Sequence, residues 1–104
     1  MPEQISTDYQ FHEVTRNNQV CVISFTSKSC GMSRASNSII QRLEGEFSGI
    51  KFAFVDVEDN PDTRENLGIR NTPTFLFYQN GQKQKSIEGV DDLEFNIRNF
   101  QNYM

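Results

Sequence analysis

Three apolar runs rich in β-branched and aromatic residues recur along the chain: Val20-Cys21-Val22-Ile23-Ser24-Phe25, residues 52–57, and Thr74-Phe75-Leu76-Phe77-Tyr78. A strand apolar at nearly every position has to be covered on both faces, because successive side chains point to opposite sides of a sheet. After the first run the spacing turns helical. Met32, Ala35, Ile39, Ile40, Leu43 and Phe47 fall on one helix face, and Ser48-Gly49 stops that segment. Doubly covered strands alternating with helices define an α/β fold.

The remaining segments complete the pattern. Residues 3–6 predict a short edge strand. Thr7, with Gln10 three residues on, forms a capping box for a helix that buries Phe11 and Val14 and ends at Asn17-Asn18. Asn60-Pro61 reads as an N-cap with proline at the first helical position, opening a short helix through Leu67 that Gly68 closes. Asn80-Gly81 is a strong hairpin signal, so residues 82–88 return antiparallel. A last helix, from Asp91 to about Tyr103, sets Leu93, Ile97, Phe100 and Met104 on one face and leaves Phe95 off it. The expected order is β-α-β-α-β-α-β-β-α. Right-handed crossovers make the first three strands parallel, and the hairpin adds an antiparallel edge to a central mixed sheet covered by helices on both faces. No linker or repeat interrupts residues 1–104, which read as one domain with a single core.

Charge and cysteine usage narrow the function. The formal net charge is −4 and the isoelectric point is near 4.9, with no Lys/Arg cluster, which argues against a nucleic-acid partner. Residues 1–10 are polar and lack the apolar core of a secretory signal, and no run approaches the roughly 20 apolar residues of a membrane span. Cys21 lies inside a strand and Cys30 beyond its end. At about 3.3 Å per extended residue they stand far beyond the ~7 Å Cα limit for a disulfide. A reducing, cytoplasmic location is the simplest expectation. His12 falls on the solvent side of its helix, with no second His or Cys spaced for zinc, so no metal or cofactor is expected. Asp91-Asp92 reads as a helix N-cap and Asp56-Glu58-Asp59 as a solvated cluster at a strand end.

The chemistry gathers at Ser29-Cys30-Gly31-Met32-Ser33-Arg34, between the first apolar run and the long helical one. There a thiol sits at a helix N-terminus, where unpaired N–H groups and the helix dipole favour the thiolate, the nucleophile of disulfide exchange. Three residues on, where a dithiol oxidoreductase would place its second cysteine, stands Ser33. Its hydroxyl can still hydrogen-bond the Cys30 thiolate from one turn away. Lys28 adds a positive charge expected to favour the thiolate or an anionic thiol such as glutathione.

The ordered blocks Val22-Ile23-Ser24-Phe25, Ser29-Cys30-Gly31-Met32-Ser33, Val55-Asp56-Val57-Glu58-Asp59-Asn60-Pro61, Gly68-Ile69-Arg70-Asn71-Thr72-Pro73-Thr74-Phe75 and Phe77-Tyr78-Gln79-Asn80-Gly81 are similar to the thioredoxin family over nearly the whole chain. The resemblance implies a thioredoxin-like fold, Cys30 as the attacking cysteine and Pro73 as a cis-proline facing it. It further implies that Thr72 lends backbone groups to an extended substrate segment, within a docking surface of Ser29, Gly31, Met32, Thr72, Pro73, Gly89 and Val90. The departures matter as much. The family's tryptophan before the nucleophile is Ser29, its active-site proline is Met32, its resolving cysteine is Ser33, its buried acid is Ser24, and its helix-kinking proline is replaced at Ser38.

Three functions fit these residues. The first is a monothiol protein in which Cys30 and Ser33 support mixed-disulfide formation with protein disulfides or glutathione. It would act as an isomerase or deglutathionylase and only weakly as a net reductase. The second is a redox-inactive interaction module using the Met32/Thr72/Val90 surface. The third is a glutathione-dependent iron–sulfur carrier, since Cys-Gly-Met-Ser is similar to the Cys-Gly-Phe-Ser site of monothiol glutaredoxins. A monomer is expected in each case.

Overall fold

The computed structural model describes residues 2–100. Its elements run β1 (Glu3–Ile5), α1 (Asp8–Asn17), β2 (Val20–Thr26), α2 (Gly31–Glu46), β3 (Lys51–Asp56), α3 (Pro61–Asn66), β4 (Thr74–Gln79), β5 (Gln82–Glu88) and α4 (Leu93–Phe100). The order is the β-α-β-α-β-α-β-β-α topology expected of a thioredoxin-like fold, with five strands in one mixed sheet ordered β1-β3-β2-β4-β5. The first three strands are parallel, β1 to β3 and β3 to β2. The hairpin supplies the antiparallel part: β4 runs antiparallel to β2, and β5 antiparallel to β4.

β2 is the middle strand, and all seven of its residues are buried. Its alternation explains the unbroken apolar run. Cys21, Ile23 and Phe25 pack with Phe11, Val14, Val55 and Tyr78 on one side. Val20 and Val22 pack with Ile40, Leu43, Phe52, Phe75, Phe77, Leu93 and Ile97 on the other, beneath α2 and α4. Fully burying each such side chain stabilises the fold by about 1.5–3 kcal/mol, so the two layers together supply most of the driving force. β5 is the exposed edge, and at Asn80-Gly81 both residues take the positive φ (53° and 82°) that a tight hairpin turn requires.

Local signals settle the helix ends. The Thr7 side chain accepts from Gln10 N at 3.0 Å, while Gln10 Oε1 accepts from Ser6 N at 2.9 Å. Asn60 occupies the N-cap position of α3 but does not cap with its side chain; its Nδ2 instead donates to Asp56 O at 2.9 Å. The sequence face assigned to α2 needs correction at its start. Met32 is 47% exposed, and the buried stripe there is Ser33 and Ser36 followed by Ile40 and Leu43. α4 begins at Leu93, two residues later than expected, with Phe95 on its solvent side. Met104 and Tyr103 lie outside the described residues.

Candidate active site

β2 ends at Thr26, and a short turn, closed by Cys30 N–H donating to Ser27 O at 3.1 Å, delivers the chain to α2. Cys30 is the N-cap residue, with extended backbone (φ −102°, ψ 115°) and no hydrogen bond spent on capping. Its thiol is therefore left free at the positive end of a sixteen-residue helix. Cys30 is half-buried, and its Sγ donates to the Thr72 carbonyl at 3.3 Å. The Thr72–Pro73 peptide bond is cis, Pro73 is buried, and Gly89 N–H donates to Pro73 O at 2.9 Å. That contact brings Gly89 and the half-buried Val90 beside Pro73, and Gly89 sits at φ 80°, where a side chain would be strained. Gly31, Met32 and Ser29 are exposed on the other rim. The structure thus links Cys30 to Thr72, and through Pro73 to Gly89, while Ser29, Gly31 and Met32 adjoin Cys30 along the chain and Ser33 hydrogen-bonds it.

The electrostatics favour the thiolate. The Cys30 pKa is lowered, first by a side-chain hydrogen bond from Thr72, then by the backbone N–H and hydroxyl of Ser33, with Met32 N–H adding a smaller share against the opposing cost of desolvation. The Thr72 carbonyl, which accepts from the S–H, and desolvation both favour the thiol form. Ser33 is 3% exposed and has a second duty, accepting the Ser27 N–H at 3.2 Å. Cys21 is the opposite case: burial in β2 pushes its thiol up to about 12. Both cysteines are free.

Three expectations are corrected here. Lys28 does not serve the thiolate; its Nζ turns to Asp59 at 3.4 Å and Asp56 at 3.9 Å, because two carboxylates outcompete one thiol for it. Asp56 is not solvated but 5% exposed, its Oδ1 accepting Glu58 N–H at 2.9 Å. Glu58 joins the site itself, accepting from the hydroxyls of Ser29 at 2.7 Å and Ser27 at 2.8 Å, so a serine–carboxylate clasp stands where the family has an aromatic ring. The Ser27-x-Ser29 spacing beside Cys30 was the available signal for that clasp. Ser36, whose hydroxyl donates to Ser33 O at 2.8 Å, carried no sequence signal distinguishable from an ordinary surface serine.

A mixed sheet that presents one acidic-shifted thiol at a helix N-terminus, against a buried cis-proline, defines a thiol-exchange fold with half of the usual dithiol. The thioredoxin family model matches residues 3–100, and the chain belongs to the thioredoxin family. It is 35% identical to a thioredoxin of Malassezia sympodialis over 89 residues, covering 84% of this chain and 85% of that one. It is 31% identical to a thioredoxin of Coprinus comatus, covering 88% of each. Among solved structures, the Malassezia sympodialis thioredoxin superposes with a TM-score of 0.83 at 29% identity, over 100% of this chain and 92% of that one. A Plasmodium falciparum thioredoxin superposes at 0.88 with 20% identity, over 98% and 99%.

Proposed function

We propose that the protein is a monothiol thiol-disulfide exchange protein acting through Cys30. The observation that carries this reading is a thiol with lowered pKa at the α2 N-terminus, with the buried Ser33 hydroxyl in the resolving position. The Cys30 thiolate attacks one sulfur of a disulfide R–S–S–R′; the Cys30–S–S–R bond forms, the old S–S bond breaks, and R′–S⁻ leaves with the electron pair. Ser33 cannot expel R, so a second thiol must attack the mixed disulfide and regenerate Cys30. If that thiol belongs to the substrate, the net result is isomerisation. If it is glutathione and R is glutathionyl, the net result is deglutathionylation. Neither route oxidises or reduces Cys30 overall. The partners are protein disulfides or glutathione, met by a monomer in the reducing cytoplasm, where two free cysteines would persist.

The test is insulin reduction with dithiothreitol. The protein should be at most weakly active, and Ser33→Cys should raise the rate, though incompletely, because Ser24 and Ser29 remain. Wild-type activity equal to that of a dithiol thioredoxin would overturn the reading. A visible chromophore on the purified protein would instead favour the iron–sulfur carrier, and a Cys30 inert to alkylation at neutral pH the interaction module.

A further inference from the structure

Glu58 stands just past β3, where the chain is fixed on both sides of it. Val57 N–H donates to Thr26 O at 2.9 Å, and Glu58 N–H donates to Oδ1 of the buried Asp56 at 2.9 Å. From there one carboxylate oxygen, Oε1, accepts the hydroxyls of Ser27 at 2.8 Å and Ser29 at 2.7 Å, which flank Lys28 in the turn before Cys30. The Glu58 carboxyl is held below the usual carboxylate range, first by Ser29 and then by Ser27, with desolvation opposing and the charges of Lys28 and Arg64 adding smaller shares. Ser27 is the residue through which this grip reaches the thiol. It is buried, lies one residue beyond β2, and is hydrogen-bonded at every polar atom. Its carbonyl accepts Cys30 N–H at 3.1 Å, its N–H donates to Ser33 Oγ at 3.2 Å, and its hydroxyl oxygen also accepts Ser29 N–H at 3.3 Å. One residue thus touches both the backbone of the nucleophile and the hydroxyl that serves its thiolate. Because Ser27 N–H occupies a lone pair of Ser33 Oγ, the Ser33 proton is turned away from Ser27 and is free for Cys30.

We propose that Glu58 is a positioning residue for thiol exchange: by gripping Ser27 and Ser29 it holds the turn in which the Ser33 hydroxyl meets the Cys30 thiolate. The inference rests on Cys30 as the exchange nucleophile. Glu58 acts on that thiol in two ways of opposite sign. Its negative charge disfavours a neighbouring thiolate, while its grip favours the thiolate by keeping the Ser33 donor in place. A carboxamide separates the two. Glu58→Gln loses the charge and keeps an acceptor oxygen at the same reach, whereas Glu58→Ala loses both. The charge cancels from a comparison of these variants, and the grip remains.

The experiment is the pH profile of Cys30 alkylation by iodoacetamide in the full chain, followed at the Cys30 peptide by mass spectrometry. At pH 7 Glu58→Gln should react about threefold faster than Glu58→Ala, in keeping with the modest net worth of such hydrogen bonds. Both should reach the same plateau at alkaline pH, where the thiol is fully ionised. In a Ser33→Ala background the two Glu58 variants should react alike, because the donor they position is gone. They should also react alike when Ser27 and Ser29 are both replaced by alanine, a background that keeps Ser33 and tests the route even if Ser33→Ala folds poorly. Equal rates at pH 7 in the otherwise unchanged chain, or a difference carried wholly by the plateau, would overturn the positioning role. A difference that persists in either background would overturn the route through the serines. A wild-type thiol that reacts only at alkaline pH would count against thiol exchange itself, and the ratio of the two variants would still decide what Glu58 does.

Discussion

Ser33→Ala removes a single hydroxyl that serves two partners. It accepts the Ser27 N–H at 3.2 Å and hydrogen-bonds the Cys30 thiolate. Ser27 is 9% exposed, so its orphaned amide gains little water. An unpaired buried donor costs about 1–3 kcal/mol. Alanine's better helix propensity offsets about 0.5 kcal/mol of that at a position inside α2. The net expectation is a loss of about 0.5–2.5 kcal/mol, which in a domain of this size lowers Tm by roughly 2–20 °C. The thiol moves as well. With one donor gone, the Cys30 pKa rises toward its ordinary value, but only in part, because Thr72 and the N–H groups of Ser33 and Met32 remain. The sign for stability follows from the lowered folded-state pKa. Thiolate stabilisation is present above the unfolded-chain value and is lost as pH falls through the folded value. Ser33→Ala should narrow that window. Thermal unfolding by circular dichroism and the pH profile of Cys30 alkylation measure the two effects. An unchanged midpoint with an unchanged alkylation profile would refute the double role of this hydroxyl.

Incubation with oxidised glutathione near pH 7 should add one glutathione at Cys30 and none at Cys21, whose thiol burial holds near 12; peptide mass spectrometry decides, and modification at Cys21 would contradict the site. The ionised Glu58 beside Ser29, together with a Lys28 already engaged by Asp56 and Asp59, should make cationic cystamine react with Cys30 faster than anionic oxidised glutathione. That difference should shrink in Glu58→Gln and at high salt, as stopped-flow rates would show. Gly81→Ala, forced to φ 82° in the β4–β5 turn, should cost about 1–2 kcal/mol in urea unfolding, with no effect on Cys30 alkylation.

The strands and the hairpin were legible because their signals are local. An unbroken apolar run and an Asn-Gly pair mean the same thing in any tertiary setting. The direction of β4 was not local: whether the chain after α3 enters the sheet parallel or antiparallel depends on which side of β2 it reaches. The start of α2 misled for a related reason. Hydropathy assigned its inner face to Met32 and Ala35, but Cys30 must meet Thr72, and that requirement rotates Ser33 and Ser36 inward instead. Lys28 and Asp56 were misread because neighbours in sequence were weighed and neighbours across β2 and β3 could not be. The thiol itself was legible, since a cysteine between a buried strand and a long amphipathic helix has few other places to be.

The two free cysteines sit at opposite ends of one story about the molecule's history. Cys21 is woven into β2, hydrogen-bonded between β3 and β4, and Cys30 lies beyond the far end of that strand. No breathing of an edge or loop can bring their sulfurs to the ~2 Å of a covalent bond. The central strand would have to dissolve first, and the rest of the sheet with it. A Cys21–Cys30 disulfide, if found in a sample, therefore marks a molecule that lost its central strand in an oxidising medium, and it keeps that molecule from refolding until a thiol reduces the bond.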